Sequence, residues 1–314
     1  MKARVVLQAS AGVLIVVAVA FFFRAQFMKN WNQVRTLHFQ FDYVLLSLAL
    51  VCILVAYLVN TAAWRYGINL SATRRPFSFR QSIGMVNTTQ LTKYIPGKIW
   101  GYAMQVALVD RNEFPISTVL SINLFLALSS VFICLLLGGL YFIFFSLLLA
   151  RLISVIATAA VLLVYLFFLG FNGSFFSVFT KVFERILRRP IVACRFTLRQ
   201  IMSMQLLMLI SAAALGASAL LCAVGVGFPV RGSLVFTVVS GFLFSDTVGF
   251  LAFLVPGGMG VRESLFYLLL REHGGESLAL VLPIVMRLMS MLVDALLGLL
   301  GLVYLRTYIK EGAR

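Results

Sequence analysis

Long apolar runs separated by short basic connections set the pattern of this chain. Runs at about 5–23, 43–64, 116–150, 152–169, 200–224 and 278–305 lie near or beyond the ~20 residues that a helix needs to cross a bilayer core. Two further stretches break the pattern. Residues 81–110 carry Asn87, Thr88, Thr89, Gln90, Thr92, Lys93 and Lys98, a set that a lipid-facing helix does not tolerate. Residues 233–276 contain Asp246 and a Pro256-Gly257-Gly258 interruption. The pattern predicts an all-α polytopic membrane protein with about six full spans and two re-entrant helical hairpins, each broken at a Pro-Gly pair. Gly138-Gly139, inside the run at 116–150, is the expected place for a bend.

Composition supports this reading. The chain is 62% hydrophobic and 11% charged, whereas a soluble domain is about half apolar and about a quarter charged. The connections leave no room for a sizeable soluble domain, so 1–314 reads as a single integral membrane domain. Lys2 and Arg4 precede an uncharged run from Val5 to Phe23. That run exceeds a signal-peptide core and reads as an uncleaved first span.

The net charge of +16 excludes little until it is placed. No basic-aromatic module accompanies it, which argues against nucleic acid as a partner. Basic loops facing a cytoplasmic leaflet of anionic lipids account for it better. With the N-terminus inside and both hairpins returning to their own side, 16 of the 26 basic residues face the cytoplasm and seven face outward. Both termini are then cytoplasmic, and the location is the cytoplasmic (inner) membrane. Lys181, Arg185, Arg188, Arg189, Arg195 and Arg199, interleaved with apolar residues, read as a basic helix lying on that surface.

The two prolines of the breaks, Pro96 and Pro256, stand 160 positions apart. Shifted by that offset, the run at 43 falls near the run at 200, and Ile116 falls at 276. Each half then reads span, span, broken hairpin, span, with 1–150 starting inside and 151–314 starting outside. This is an inverted repeat, an arrangement that places a site near mid-membrane where broken helices meet.

Broken backbone at membrane depth survives only against protein or a water-filled cavity. Proline supplies the break and glycine the close approach. A helix restarting after Gly260 would point its first N–H groups at an anion, and Arg262 suits bidentate contact with phosphate. Lys93 and Lys98 flank the first break. Asp246, Glu263, Arg287 and Asp294 add ionisable groups. Arg287 and Asp294 share a helix face, and a structural pairing of Arg287 with Asp246 or Glu263 is the competing account of these charges. Cys52, Cys134, Cys194 and Cys222 form no CxxC pair, and His38 and His273 have no ligand-like neighbours. No metal site, cofactor or nucleotide-binding loop is expected.

Tyr94-Ile95-Pro96-Gly97-Lys98, the downstream Asp110-Arg111, and Pro256-Gly257-Gly258-Met259-Gly260-Val261-Arg262-Glu263 resemble the motifs of the flippase-like membrane domain of lysylphosphatidylglycerol synthases. In bifunctional members of that family, the membrane domain moves an aminoacylated phospholipid that a soluble domain makes. The resemblance implies translocation of a phosphate-bearing lipid, such as a phospholipid or polyprenyl-phosphate lipid, and no enzymatic activity. Expected headgroup contacts are Lys93, Tyr94, Pro96, Gly97, Lys98, Pro256, Gly257, Gly258, Gly260, Arg262 and Glu263. Asp110, Asp246, Arg287 and Asp294 are expected to gate or couple. The partners implied are the lipid substrate, anionic leaflet lipids at the basic loops, and a separate lipid-modifying enzyme. Two alternatives stand beside this: an intramembrane transferase using Asp110, Glu113 or Asp246, and a membrane scaffold for an envelope-lipid synthase.

Overall fold

A computed structural model describes residues 41–72, 76–94, 100–109, 114–145, 148–170, 196–252 and 255–312. The expected first span, Pro96, Gly97, Lys98, Asp110, Glu113 and all but the end of the expected surface helix at 181–199 lie outside the described residues; Arg199 stands in the first turn of a membrane-length helix. Among the described residues the fold is all-α and polytopic. Six helices are long and apolar enough to cross a membrane.

Local chemistry sets where the helices begin. Helix α1 (Tyr43–Asn69) is capped by Asp42, whose Oδ1 accepts from the Val44 and Leu45 N–H groups. Helix α2 (Phe79–Gln90) opens with a capping box between Ser78 and Gln81. A 3-10 turn (Leu91–Tyr94) ends it, and α3 (Trp100–Leu108) follows. Helix α4 (Ile116–Phe145) starts just after Pro115, and α5 (Leu148–Gly170) lies against it with much of its apolar surface outward. Helix α6 (Leu198–Gly225) opens with a second capping box, between Thr197 and Gln200. Helix α7 (Ser233–Leu251) leads to a 3-10 turn (Pro256–Gly258) and then α8 (Val261–Gly312). Gly275, at φ 75° and ψ 167°, breaks α8 into a short limb, 261–274, and a long limb, 276–312.

The second Pro-Gly break joins two antiparallel helices. A Cβ at Gly274 would meet Leu234, one at Gly241 would meet Leu269 and Phe266, and one at Gly249 would meet Arg262. Helix α7 and the short limb therefore run side by side as a hairpin with its tip at 252–260. Helix α7 is itself long and apolar enough to cross a membrane, which the expectation of a hairpin limb had not counted as a span. The first break joins α2 to α3, where a Cβ at Gly101 would lie 2.9 Å from the Thr89 carbonyl.

The 160-residue offset matches some element starts closely and others loosely: shifted, α1 and α2 start at 203 and 239, against 198 and 233 for α6 and α7. Shifted, α3 starts at 260 against 261 for the short limb, and α4 starts at 276, where the long limb begins. Contacts follow the same exchange. Helix α2 packs antiparallel on the long limb, with Gly84 against Tyr304–Leu305, Thr88 against Gly301 and Leu91 against Gly298. Helix α7, the counterpart of α2, packs on α4, with Phe244 on Gly138 and Phe236 on Phe144. Helices α1 and α6, counterparts of one another, pair antiparallel: the Asp42 N–H donates to the Gly225 carbonyl at 2.9 Å, and the Ser211 hydroxyl to the Ala56 carbonyl at 3.0 Å.

Gly138-Gly139 is not a bend. Helix α4 runs through it unbroken, and the two glycines admit Phe244 on one side and Thr158 on the other. Without a hydrophobic driving force between helices in lipid, close approach at small residues is what holds them together.

Candidate functional site

The two hairpins converge on the long limb of α8. Its apolar stretch, 278–305, places Arg287 and Asp294 within about 7 Å of the midpoint along the axis at 1.5 Å per residue. Both side chains line a cavity of about 270 Å³, together with residues from α1, α2, α3, α4, α6 and α7. Of the polar set at 81–110 that lipid would not tolerate, Asn87, Thr88 and Thr89 are buried, Thr92 and Lys93 are half-buried and Gln90 is exposed; Gln105, on α3, is buried as well.

Three ion pairs surround this cavity. Lys93 Nζ lies 2.7 Å from each carboxylate oxygen of Asp294, and the neighbouring Tyr94 hydroxyl donates to the same carboxylate at 2.6 Å. Arg262 lies 2.5 Å from Asp246, with its guanidinium 4.8 Å from the Phe242 ring centre. Arg287 Nε stands 3.6 Å from Glu263 Oε1, too far for a hydrogen bond, and Nη1 donates to the Gly257 carbonyl at 3.0 Å. Buried charges are costly unless paired and hydrogen-bonded; the Lys93 and Arg262 pairs meet that demand, and the looser Arg287–Glu263 pair meets it only in part.

The tip of the second hairpin is built by its glycines. Gly257, Gly258 and Gly260 all have positive φ, and a Cβ on Gly258 would fall 2.5 Å from the Gly249 carbonyl oxygen. The helix that restarts at Val261 caps itself: the Glu263 carboxylate accepts from the Gly260 N–H at 2.5 Å. The N-terminal anion position that the sequence suggested for a ligand thus holds this chain's own carboxylate. The end of the 3-10 turn that precedes the first break meets the second tip where Gly257 faces the Tyr94 ring, with the Arg287 guanidinium 5.7 Å from that ring centre.

The sequence-predicted residues divide accordingly. Lys93, Gly257, Arg262, Asp246, Arg287 and Asp294 all line the cavity. Glu263 and Tyr94 act through Arg287, Gly260 and Asp294 at its edge. Pro256 and Gly258 are buried in the tip, which they shape. Of the two partners suggested for Arg287, the structure gives Glu263, while Asp246 pairs with Arg262 across the hairpin. Arg262 is therefore committed within its own hairpin. Arg287 is not fully used: Nε and Nη2 are buried without hydrogen-bond partners. Sequence reasoning missed Tyr57, whose ring lies 5.4 Å from Lys93 Nζ, and the amides Asn60 and Asn123 in the wall. Nothing in an apolar run flags one asparagine or tyrosine as cavity-facing.

Among the described residues no group of three or more His, Cys, Asp and Glu could hold a metal ion. Cys52, Cys134 and Cys222 are free thiols.

No curated protein matches the chain. The sequence model described as Lysylphosphatidylglycerol synthase TM region matches residues 9–298, nearly the whole length. The motifs at 94–98 and 256–263 both fall within that match, and the chain belongs to the lysylphosphatidylglycerol synthase transmembrane-region family.

Proposed function

We propose that this protein is a lipid translocase that carries the phosphate-bearing headgroup of a membrane lipid through the cavity while the tails stay in the bilayer. The observation that carries the reading is that Lys93 and Tyr94, just before the first break, and Gly257, in the second, meet Arg287 and Asp294 at the middle of a membrane-length helix. In this reading the hairpins are re-entrant, and 1–150 and 151–314 are inverted halves. The antiparallel pairing of α1 with α6 supports that symmetry, since a two-fold axis relating them lies across the helices, in the membrane plane.

The chain's own groups divide the work. Lys93 keeps 30% of its side chain exposed, and Arg287 has spare donors, so these two cations take the phosphate. Arg262 and Asp246 hold the second hairpin together. Asp294 competes with the phosphate for Lys93, and Glu263 competes for Arg287. Headgroup arrival therefore exchanges one set of ionic contacts for another, which frees the hairpin tips to shift. The reading includes no enzymatic step, a cytoplasmic-membrane location with both termini inside, and lipid supplied by a separate enzyme.

Reconstitution into liposomes tests this. With a fluorescent phosphatidylglycerol and a membrane-impermeant quencher, wild-type protein is expected to expose inner-leaflet label. Lys93→Ala and Arg287→Ala are expected to slow that exposure at least about tenfold, the loss of roughly one charge-assisted hydrogen bond. Rates equal to protein-free liposomes for the wild type would overturn the reading. A new lipid product by mass spectrometry would favour a transferase.

A further inference from the structure

We propose that the chain moves as two bodies that rotate about Gly275, and that Glu276 is the latch that holds them closed over the cavity. The proposal goes beyond the translocase reading and holds whatever the cavity takes.

The bodies follow from the packing. In the first, α2 seats on the long limb of α8, where a Cβ at Gly84 would lie 2.8 Å from the Leu305 backbone nitrogen. Helix α3 is tied to α2, with the Gln105 amide donating to Thr89 Oγ1 at 2.9 Å. In the second, α7 seats on α4, where a Cβ at Gly138 would lie 3.0 Å from Phe244 Cα. Tyr141 of α4 donates to the Leu269 carbonyl of the short limb at 3.1 Å, so α4 holds both limbs of that hairpin. Each body joins one helix pair to the helix that follows the other pair. Seams this close repack in steps and do not deform gradually. Both bodies supply the cavity wall: Asn87, Lys93 and Ser290 from the first, and Ser130, Asp246 and Arg262 from the second.

Helix α8 passes from the second body to the first at Gly275. Its backbone, φ 75° and ψ 167°, lies in a region that essentially only glycine occupies. A Cβ there would meet nothing within 4 Å, unlike the glycines of the two seams. This glycine therefore serves the backbone and not a close approach. Shifted back by the 160-residue offset it falls on Pro115, where the chain passes between the bodies the other way, from α3 to α4. Hinges are a few residues at element ends that absorb a change in φ and ψ, and Gly275 stands at such a place.

Glu276 spans this hinge. It begins the long limb, yet its carboxylate accepts from the Tyr267 hydroxyl at 2.6 Å and stands 3.6 Å from Arg271 Nε, both on the short limb. Two further contacts cross between the bodies in the cavity wall: Arg287 Nη1 donates to the Gly257 carbonyl at 3.0 Å, and Asn123 Nδ2 to Gln105 Oε1 at 2.7 Å. Glu276 differs from these in its place. It precedes the apolar stretch at 278–305 and is 33% exposed, so water competes for its partners and the contact is made and broken at modest cost.

The test reads opening of the cavity without any lipid. Ser290→Cys puts a thiol in the cavity wall, and Cys222, 0% exposed on α6, is the internal control. The detergent-purified full chain is treated with N-ethylmaleimide, and alkylation at each position is followed by peptide mass spectrometry. Adding Glu276→Ala is expected to speed alkylation at position 290 about fivefold or more, with Cys222 unchanged. Glu276→Gln keeps an acceptor for the Tyr267 hydroxyl and is expected to fall between Glu276→Ala and the parent. An unchanged rate at position 290 in Glu276→Ala would overturn the latch. A parallel rise at Cys222 would overturn it too, since Glu276 would then hold the whole fold together and not one hinge. Either result leaves the translocase reading to the liposome assay.

Discussion

Lys93 and Asp294 meet at 2.7 Å although 201 positions separate them, and Tyr94 donates to the same carboxylate. This contact ties the first hairpin tip to the long limb of α8. Asp294→Asn keeps the shape but removes the charge, leaving Lys93 facing a neutral amide. Breaking a buried pair by removing one partner costs about 3–5 kcal/mol, and the part-open Lys93 places this one nearer the lower figure. The double change Lys93→Met/Asp294→Leu is expected to regain most of that stability without regaining transport. Thermal unfolding in detergent, beside the liposome assay, checks both halves.

Two glycines on one seam are expected to respond differently. A Cβ at Gly84 would lie 2.8 Å from the Leu305 backbone nitrogen, and backbone cannot move aside. The nearest atoms to a Cβ at Gly298 all belong to the Leu91 side chain, which can rotate. Gly84→Ala should cost about 2–3 kcal/mol, as overpacking does, and Gly298→Ala about 1 kcal/mol or less. Equal melting temperatures for the two variants would contradict this account of how α2 seats on α8.

Gly258 and Gly275 separate clash from backbone strain. Both have positive φ, but only Gly258 is crowded, by the Gly249 carbonyl. Gly275→Ala carries strain alone, about 1–3 kcal/mol. Gly258→Ala adds a steric conflict and is expected to lower the thermal unfolding temperature in detergent clearly more than Gly275→Ala does.

Glu263 occupies the helix-start position that an anionic ligand would otherwise use. Glu263→Ala frees the Gly260 N–H and removes the carboxylate beside Arg287. Binding of dihexanoyl phosphatidic acid should therefore tighten, by about three- to tenfold, while thermal stability falls. Weaker binding would mean that Glu263 positions Arg287 for the ligand and does not compete with it.

The sequence disclosed the architecture better than the site. Pro256 and its glycines announce a break because no other residues tolerate that backbone, and Ile116 follows a proline that fixes the helix start. The basic connections carry the topology argument, although 171–195 lies outside the described residues. Pairing was less legible. Arg287 has Asp246 and Glu263 as equally plausible partners along the chain, and only the antiparallel register of α7 against the short limb gives Asp246 to Arg262. Gly138-Gly139 illustrates the same limit. A glycine pair signals either bending or close packing, and the choice depends on whether a bulky partner such as Phe244 stands opposite.

The three ion pairs have an electrical consequence. Lys93, Arg262 and Arg287 against Asp246, Glu263 and Asp294 sum to zero. A membrane voltage does work of about 2.3 kcal/mol per elementary charge per 100 mV, but only on net charge that moves. If each cation travels with its carboxylate, the empty protein rearranges with little electrical work, and in the translocase proposed above the voltage acts mainly on the headgroup.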